Sequence, residues 1–278
     1  MKKIVSMWLA LLLVLFPFVA GCSTQNKSSE DEIHYVDQDF MTSLAKGLEA
    51  RWKLNDQYET QVSNGTIKSG SSEEKDAYGS WVDAELNEVE QYRNEPFEDS
   101  QLQQLALQYI SALNDQKSSL DDWGTDKFRE EWSAAYDKRT TLLAEFVDQY
   151  NLTVSEKYQD QLDTLKATGK QVQATEAEKE AIRGLVNNFS FEQTAEEYGY
   201  KTYTAIVENT SEYNLKSFYA DVSLLNSDGV LVGTEYASAD NWQAGQKAQF
   251  EFTTDEDFAT TTITINSWED DQGNSSYD

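Results

Sequence analysis

The apolar residues of this chain keep a helical period up to Gly199 and an alternating one after it, and no single regular element satisfies both. Phe40, Leu44, Leu48 and Trp52 recur at a spacing of four, which predicts one buried stripe on a helix from about residue 37 to near 58. A Ser-, Gly- and Asn-rich loop follows at 63–72. Tyr78, Trp81, Val82, Leu86, Val89 and Tyr92 predict a second helix that stops before Pro96. Asp99 or Ser100 can cap a third, bearing Leu102, Leu105, Tyr109, Leu113 and Leu120 and closing at Trp123-Gly124. Thr125 or Asp126 opens a fourth, with Phe128, Trp132, Ala135, Leu142, Leu143, Phe146 and Tyr150 facing inward. Beyond Tyr150, the residues Tyr158, Leu162 and Leu165 predict a short amphipathic piece. Thr175 and Glu178 then read as a capping box before Ile182, Leu185, Val186 and Phe189, with Gly169 and Gly199 flanking these last helices.

After Gly199 the chain becomes rich in Thr, Val, Tyr and Phe, and strands are expected at 201–208, 215–225, 230–238, 246–253 and 260–268. Asn226, Asp228 and Gly229 supply hairpin chemistry between the second and third of these. The predicted class is therefore α+β: a helical bundle over residues 33–196, then a small all-β sandwich over 198–268, with an acidic, frayed tail at 269–278.

The first 22 residues constrain location. Lys2 and Lys3 precede an apolar run from 4 to 20, and small residues stand just before the cysteine, as in a cleavable export signal. The stretch Val19-Ala20-Gly21-Cys22 resembles the lipobox of bacterial lipoproteins. The resemblance implies a signal peptide over 1–21, diacylglyceryl modification of the Cys22 thiol, and Cys22 as the first mature residue, with palmitate-type acyl chains in the cell membrane. An uncleaved membrane helix is the other reading, but the run falls short of the ~20 residues that span a bilayer and contains Pro17. Either way the basic flank leaves everything after residue 22 on the extracytoplasmic face. Residues 22–32 carry nothing apolar after the cysteine and read as a disordered tether.

The sandwich segment resembles the FxLYD domain, a small β module of envelope and secreted proteins. The resemblance rests on Val207-Glu208-Asn209-Thr210-Ser211, on Val222-Ser-Leu224-Leu225-Asn226 followed by Asp228-Gly229, on Trp242-Gln-Ala-Gly245-Gln246, and on Phe250-Glu-Phe252. The name-giving Phe, Tyr and Asp are here Val222, Leu225 and Asn226. The family implies a β-sandwich and transfers no catalytic residue.

Charge and residue types narrow the chemistry. Fifty acidic against 22 basic residues give a formal charge of -28, which repels nucleic acid and leaves no compensating basic patch to expect. A single cysteine, Cys22, allows no internal disulfide. His34 is the only histidine, at the tether's edge, and no Gly-rich phosphate loop occurs, so no catalytic residue, cofactor or metal is assigned. Asp255-Glu256-Asp257 and Glu269-Asp270-Asp271 offer oxygen ligands for Ca²⁺ but lack the Asp-x-Asp-x-Asp-Gly loop, and charged turns are the simpler reading. Trp52, Trp81, Trp123 and Trp132 fall on or near apolar stripes and are expected in the core, as is Trp242. The expected function is that of a lipid-anchored, non-enzymatic surface protein that binds an unidentified envelope component or protein. The alternative is a carbohydrate-active enzyme or carbohydrate binder that uses carboxylates and tryptophans.

Overall fold

The structure is a computed structural model that describes residues 34–277. The expected signal peptide, Cys22 and the tether lie outside the described residues. No helix among those described is long and apolar enough to cross a membrane.

The helical part comprises α1 (Asp37–Ser63), α2 (Ser72–Val89), α3 (Ser100–Ser119), α4 (Asp126–Tyr150) and α5 (Gln159–Gly184). Their starts follow cap chemistry. The Asp99 carboxylate accepts from the amides of Gln101 (2.8 Å) and Leu102 (3.2 Å), and the Thr125 hydroxyl accepts from the Phe128 amide at 3.2 Å. The predicted stripes meet in one core, where Phe40, Leu44, Leu48, Val82, Val89, Tyr109, Leu113, Leu143 and Phe146 are fully buried. Consecutive helices pack side by side, α1 on α2, α2 on α3, α3 on α4 and α4 on α5, whereas α1 and α5 are not packed along one another in this way.

One correction concerns the last helix. The expected short piece and second, capped helix are a single helix, α5, that runs through Gly169 and Thr175. Gly169 is a contact point: a Cβ there would lie 2.2 Å from the carbonyl oxygen of Thr140, so its missing side chain lets α5 lie against the α4 backbone. Glu178 does not cap. It is buried and its carboxyl meets the Asn274 side-chain amide at 3.1 Å.

The α+β class is as expected, and the chain ends in two antiparallel sheets. β1 (Glu192–Glu197), β2 (Tyr200–Glu208) and β5 (Lys247–Thr254) form one, in the order β1-β2-β5. β3 (Leu215–Leu225), β4 (Leu231–Trp242), β6 (Thr260–Asp270) and β7 (Ser275–Tyr277) form the other, in the order β4-β3-β6-β7. Two strands were not foreseen. β1 lies within the segment assigned to the bundle, and its six residues are all exposed, so no alternation marks it. At the tail expected to fray, β6 continues through Asp270 and β7 pairs back on it.

The two cores meet on α5. Ile182, and Leu185 in the turn just after the helix, are fully buried with Phe218, Val222, Trp242 and Phe250 of the sandwich, while Leu162 and Leu165 of α5 belong to the bundle core. The segments that carry the FxLYD resemblance are tied together at Asn209, whose side-chain amide donates to the carbonyls of Tyr213 (2.9 Å) and Trp242 (3.1 Å). Val222 and Leu224 point into the core, and Leu225 sits at a register shift.

Candidate functional site

The bundle interior contains an ionic cluster where the stripes would otherwise place apolar side chains. Gly47 of α1 brings that helix close to α2, since a Cβ there would stand 3.1 Å from the Cα of Glu85. One turn further along α1, Arg51 Nη1 donates to Glu85 Oε1 at 2.8 Å and to Gln116 Oε1 at 3.3 Å. From α4, Arg139 grips the same carboxylate with two bonds, Nε to Oε2 (2.9 Å) and Nη2 to Oε1 (2.7 Å). The Tyr109 hydroxyl of α3 donates to Oε2 as well.

Glu85 and Arg139 are 0% and 1% exposed, and Arg51 8%. Two guanidinium groups thus share one carboxylate, and the buried cluster carries one excess positive charge. Burial pushes the Glu85 carboxyl up, but the facing Arg139 and Arg51 more than offset this and hold it below the usual carboxylate range. Burial lowers Arg51, and the like charge of Arg139 lowers it further against the pull of Glu85. Burial and the Glu85 charge push the Tyr109 phenol well up, so it stays neutral and donates.

The two arginines line a cavity of about 520 Å³. Trp52 and Asn55 of α1 and Trp81 of α2 form one side, and Asp160, Gln161, Thr164, Leu165 and Thr168 of α5 the other, with Tyr136 from α4 and Lys157 at the turn before α5. It lies where α1 and α5 are not packed along one another. At one end they are joined by Trp52 against Tyr158 (ring centroids 5.5 Å) and by Lys157 with Asp56 (3.6 Å). The Trp81 ring is held by Tyr78 stacked at 4.6 Å and Tyr58 edge-on at 5.1 Å. Trp81 Nε1 and Gln161 Oε1, both buried atoms in this lining, have no hydrogen-bond partner among the described residues, nor does Gln116 Nε2 behind it. Leaving such groups unpaired costs about 1–3 kcal/mol each, so the site is arranged to be completed by polar atoms.

The residues considered from sequence fall elsewhere or take other parts. Cys22 lies outside the described residues. His34 is exposed. Trp242 and Trp268 are buried in the sandwich core, whereas Trp123 and Trp132 are half-buried around Tyr78 and Phe128. Trp52 and Trp81 pack against the core and also face the cavity. Of the acidic runs, Asp257 pairs with Lys201 on the surface, and no metal-holding group of three His, Cys, Asp or Glu occurs among the described residues.

One pair of carboxyls is buried together: Glu178 of α5 against Asp270 of β6, 3% and 1% exposed. Burial, then the Asp270 charge and a bond shared with it, push Glu178 up to about 7. Asp270 is fixed by the amides of Gln272 (3.0 Å) and Asn274 (2.6 Å). The two carboxyls join two elements, with the Asn274 side-chain amide donating to both, to Glu178 Oε2 at 3.1 Å and to Asp270 Oδ2 at 3.0 Å.

Sequence reading missed Arg51, Glu85 and Arg139. The charge count averages over the chain, so a local positive excess inside the bundle does not show in it. The available signal was positional: Arg51 follows Leu48 by three, Glu85 follows Trp81 by four and precedes Val89 by four, and Arg139 follows Ala135 by four. A charged residue on an apolar stripe needs a buried partner. Compared with protein-family models, with curated proteins and with solved structures, the chain matches none.

Proposed function

We propose that this protein is a lipid-anchored, extracytoplasmic, non-enzymatic binding protein whose ligand site is the bundle cavity. The observation that carries the reading is the pair of buried arginines with unpaired buried polar atoms lining a cavity of about 520 Å³, within the size range of small-molecule sites. The lining suits holding more than reacting: it offers guanidinium, indole, amide and hydroxyl groups, and a single carboxylate, Asp160. The lipobox-like stretch ending at Cys22 supports attachment to the cell membrane through lipid. The FxLYD-like sandwich supports a place in the envelope, with an envelope component or partner protein as a further contact. A net charge of -28 disfavours nucleic acid as partner.

Carbohydrate is the second reading, as ligand and not as substrate, because Trp52 and Trp81 stand beside the amides and hydroxyls of Asn55, Gln161 and Thr164.

Two measurements test the proposal. Replacing Cys22 by Ala should abolish metabolic labelling with a fatty acid and release the protein from membranes or stall its processing; labelling that persists would rule out the anchor. Filling the cavity by Thr164→Trp should remove any small-molecule quenching of tryptophan fluorescence seen with the unaltered protein. Quenching that survives would place the site elsewhere.

A further inference from the structure

We propose that the bundle cavity takes a small ring-bearing monocarboxylate, its carboxylate received by the free edges of Arg51 and Arg139 and its ring laid against Trp52 and Trp81. The proposal rests on the cavity being the ligand site and names the chemistry it selects.

The first step is a count of hydrogen bonds. A carboxylate has about four lone-pair sites. Glu85 already accepts four bonds, from Arg51 Nη1, Arg139 Nε, Arg139 Nη2 and the Tyr109 hydroxyl. It has no capacity left. Nε and Nη2 of Arg51 and Nη1 of Arg139 have no acceptor among the described residues, and Trp81 Nε1 is a further buried donor without one. Against these donors the lining leaves Gln161 Oε1 as a buried unpaired acceptor, and the complement of the guanidinium edges is an acceptor-rich ligand.

The second step is charge. Two guanidinium groups against one carboxylate leave one positive charge in a buried place, and the rim adds one charge of each sign to the lining, Lys157 and Asp160. A monoanion neutralises the excess, whereas a dianion would overshoot it and keep an uncompensated buried charge. The guanidinium fork matches the planar carboxylate. The third step is shape: Trp52, Trp81 and Leu165 give the apolar faces, with Trp81 held by its stack on Tyr78, and Asn55, Thr164 and Thr168 supply side hydrogen bonds.

Two matched pairs of probes test this by tryptophan fluorescence and calorimetry on the soluble mature chain: glucuronate against glucose, and benzoate against benzamide. Within each pair the ring is kept and the charge removed. At least one acid should bind ten or more times tighter than its neutral partner, with affinity falling as sodium chloride is raised. Whether the sugar acid or the aromatic acid binds better identifies which ring the site serves. Arg51→Gln, which leaves the neutral Arg139–Glu85 pair intact, should lose at least tenfold for the acid. Should that variant not fold, the acid-to-neutral ratio and salt dependence of the unaltered protein decide alone. A neutral partner that binds as well as its acid would overturn the proposal while leaving cavity binding in place. Failure of all four probes to bind would overturn it as well. Acid binding that survives Thr164→Trp would count against the cavity itself.

Discussion

Glu85 and Glu178 are the same residue type on neighbouring parts of one fold, each almost completely buried, and their surroundings drive them in opposite directions. Glu85 faces two arginines and is held ionised; Glu178 faces Asp270 and is pushed up to about 7. Burial alone thus decides little. What decides is the sign of the nearest charge, because in a poorly solvated site a counter-charge offsets desolvation and a like charge adds to it. The bundle core is consequently committed to an ion cluster at any neutral pH, while the junction with the sandwich is held by a carboxyl that titrates within it.

The largest effect expected follows from removing the shared counter-ion. Glu85→Leu leaves two buried guanidinium groups facing each other, a change expected to cost about 3–5 kcal/mol. In a chain of this size that corresponds to a fall in Tm of roughly 10 °C, readable by circular dichroism. Glu178→Leu, at pH 8, should by contrast be neutral or stabilising, since it removes a repulsion. Equal losses from the two substitutions would break the comparison.

A smaller effect is expected at Gly169, where α5 touches α4 on its way from the cavity to Glu178. An alanine Cβ would collide with the Thr140 carbonyl at 2.2 Å, and neither backbone can yield without moving a helix. Overpacking costs about 1–3 kcal/mol, against which the better helix propensity of alanine returns up to about 1. Gly169→Ala should therefore be destabilising by urea denaturation, and a neutral result would show that the two helices are not held so closely.

These residues also mark how far the sequence could be read. The stripe of α1, the caps at Asp99 and Thr125, and the alternation of β3 were legible because each is a local pattern with one buried face. α5 was not, because it serves two cores: Leu162 and Leu165 face the bundle, Ile182 the sandwich, and no single stripe runs its length. Its Thr175 and Glu178 matched the spacing of a capping box by coincidence. β1 escaped because an all-exposed strand shows no alternation. The cavity was illegible for a different reason. Arg51, Glu85 and Arg139 come from three helices, and only tertiary packing turns three misplaced charges into one cluster. Glu178 and Asp270 lie 92 residues apart, and only the fold brings the two carboxyls together.

The smallest effect expected is also the one that tests the junction most directly. With a folded value of about 7 against an unfolded one near 4.3, Glu178 keeps its proton in the folded protein over a window where the unfolded chain has lost it. The folded state binds more protons there, so the stability contributed by this group falls as pH rises from about 4.3 to about 7. Below the window both states are protonated and the group is neutral in effect; above it the repulsion with Asp270 and Asp271 is complete. Glutamine at position 178 keeps the shape of the protonated acid and can donate to Asp270 at every pH. Glu178→Gln should therefore match the unaltered protein near pH 4 and exceed it in stability above pH 7 by on the order of 1 kcal/mol, one pKa unit being 1.36 kcal/mol. Other carboxylates titrate in the same range, so the quantity to follow is the difference between the two proteins in urea midpoints across pH. A difference that stays constant from pH 4 to pH 8 would mean that folding does not shift the Glu178 carboxyl, and that Asp270 exerts no net repulsion on it.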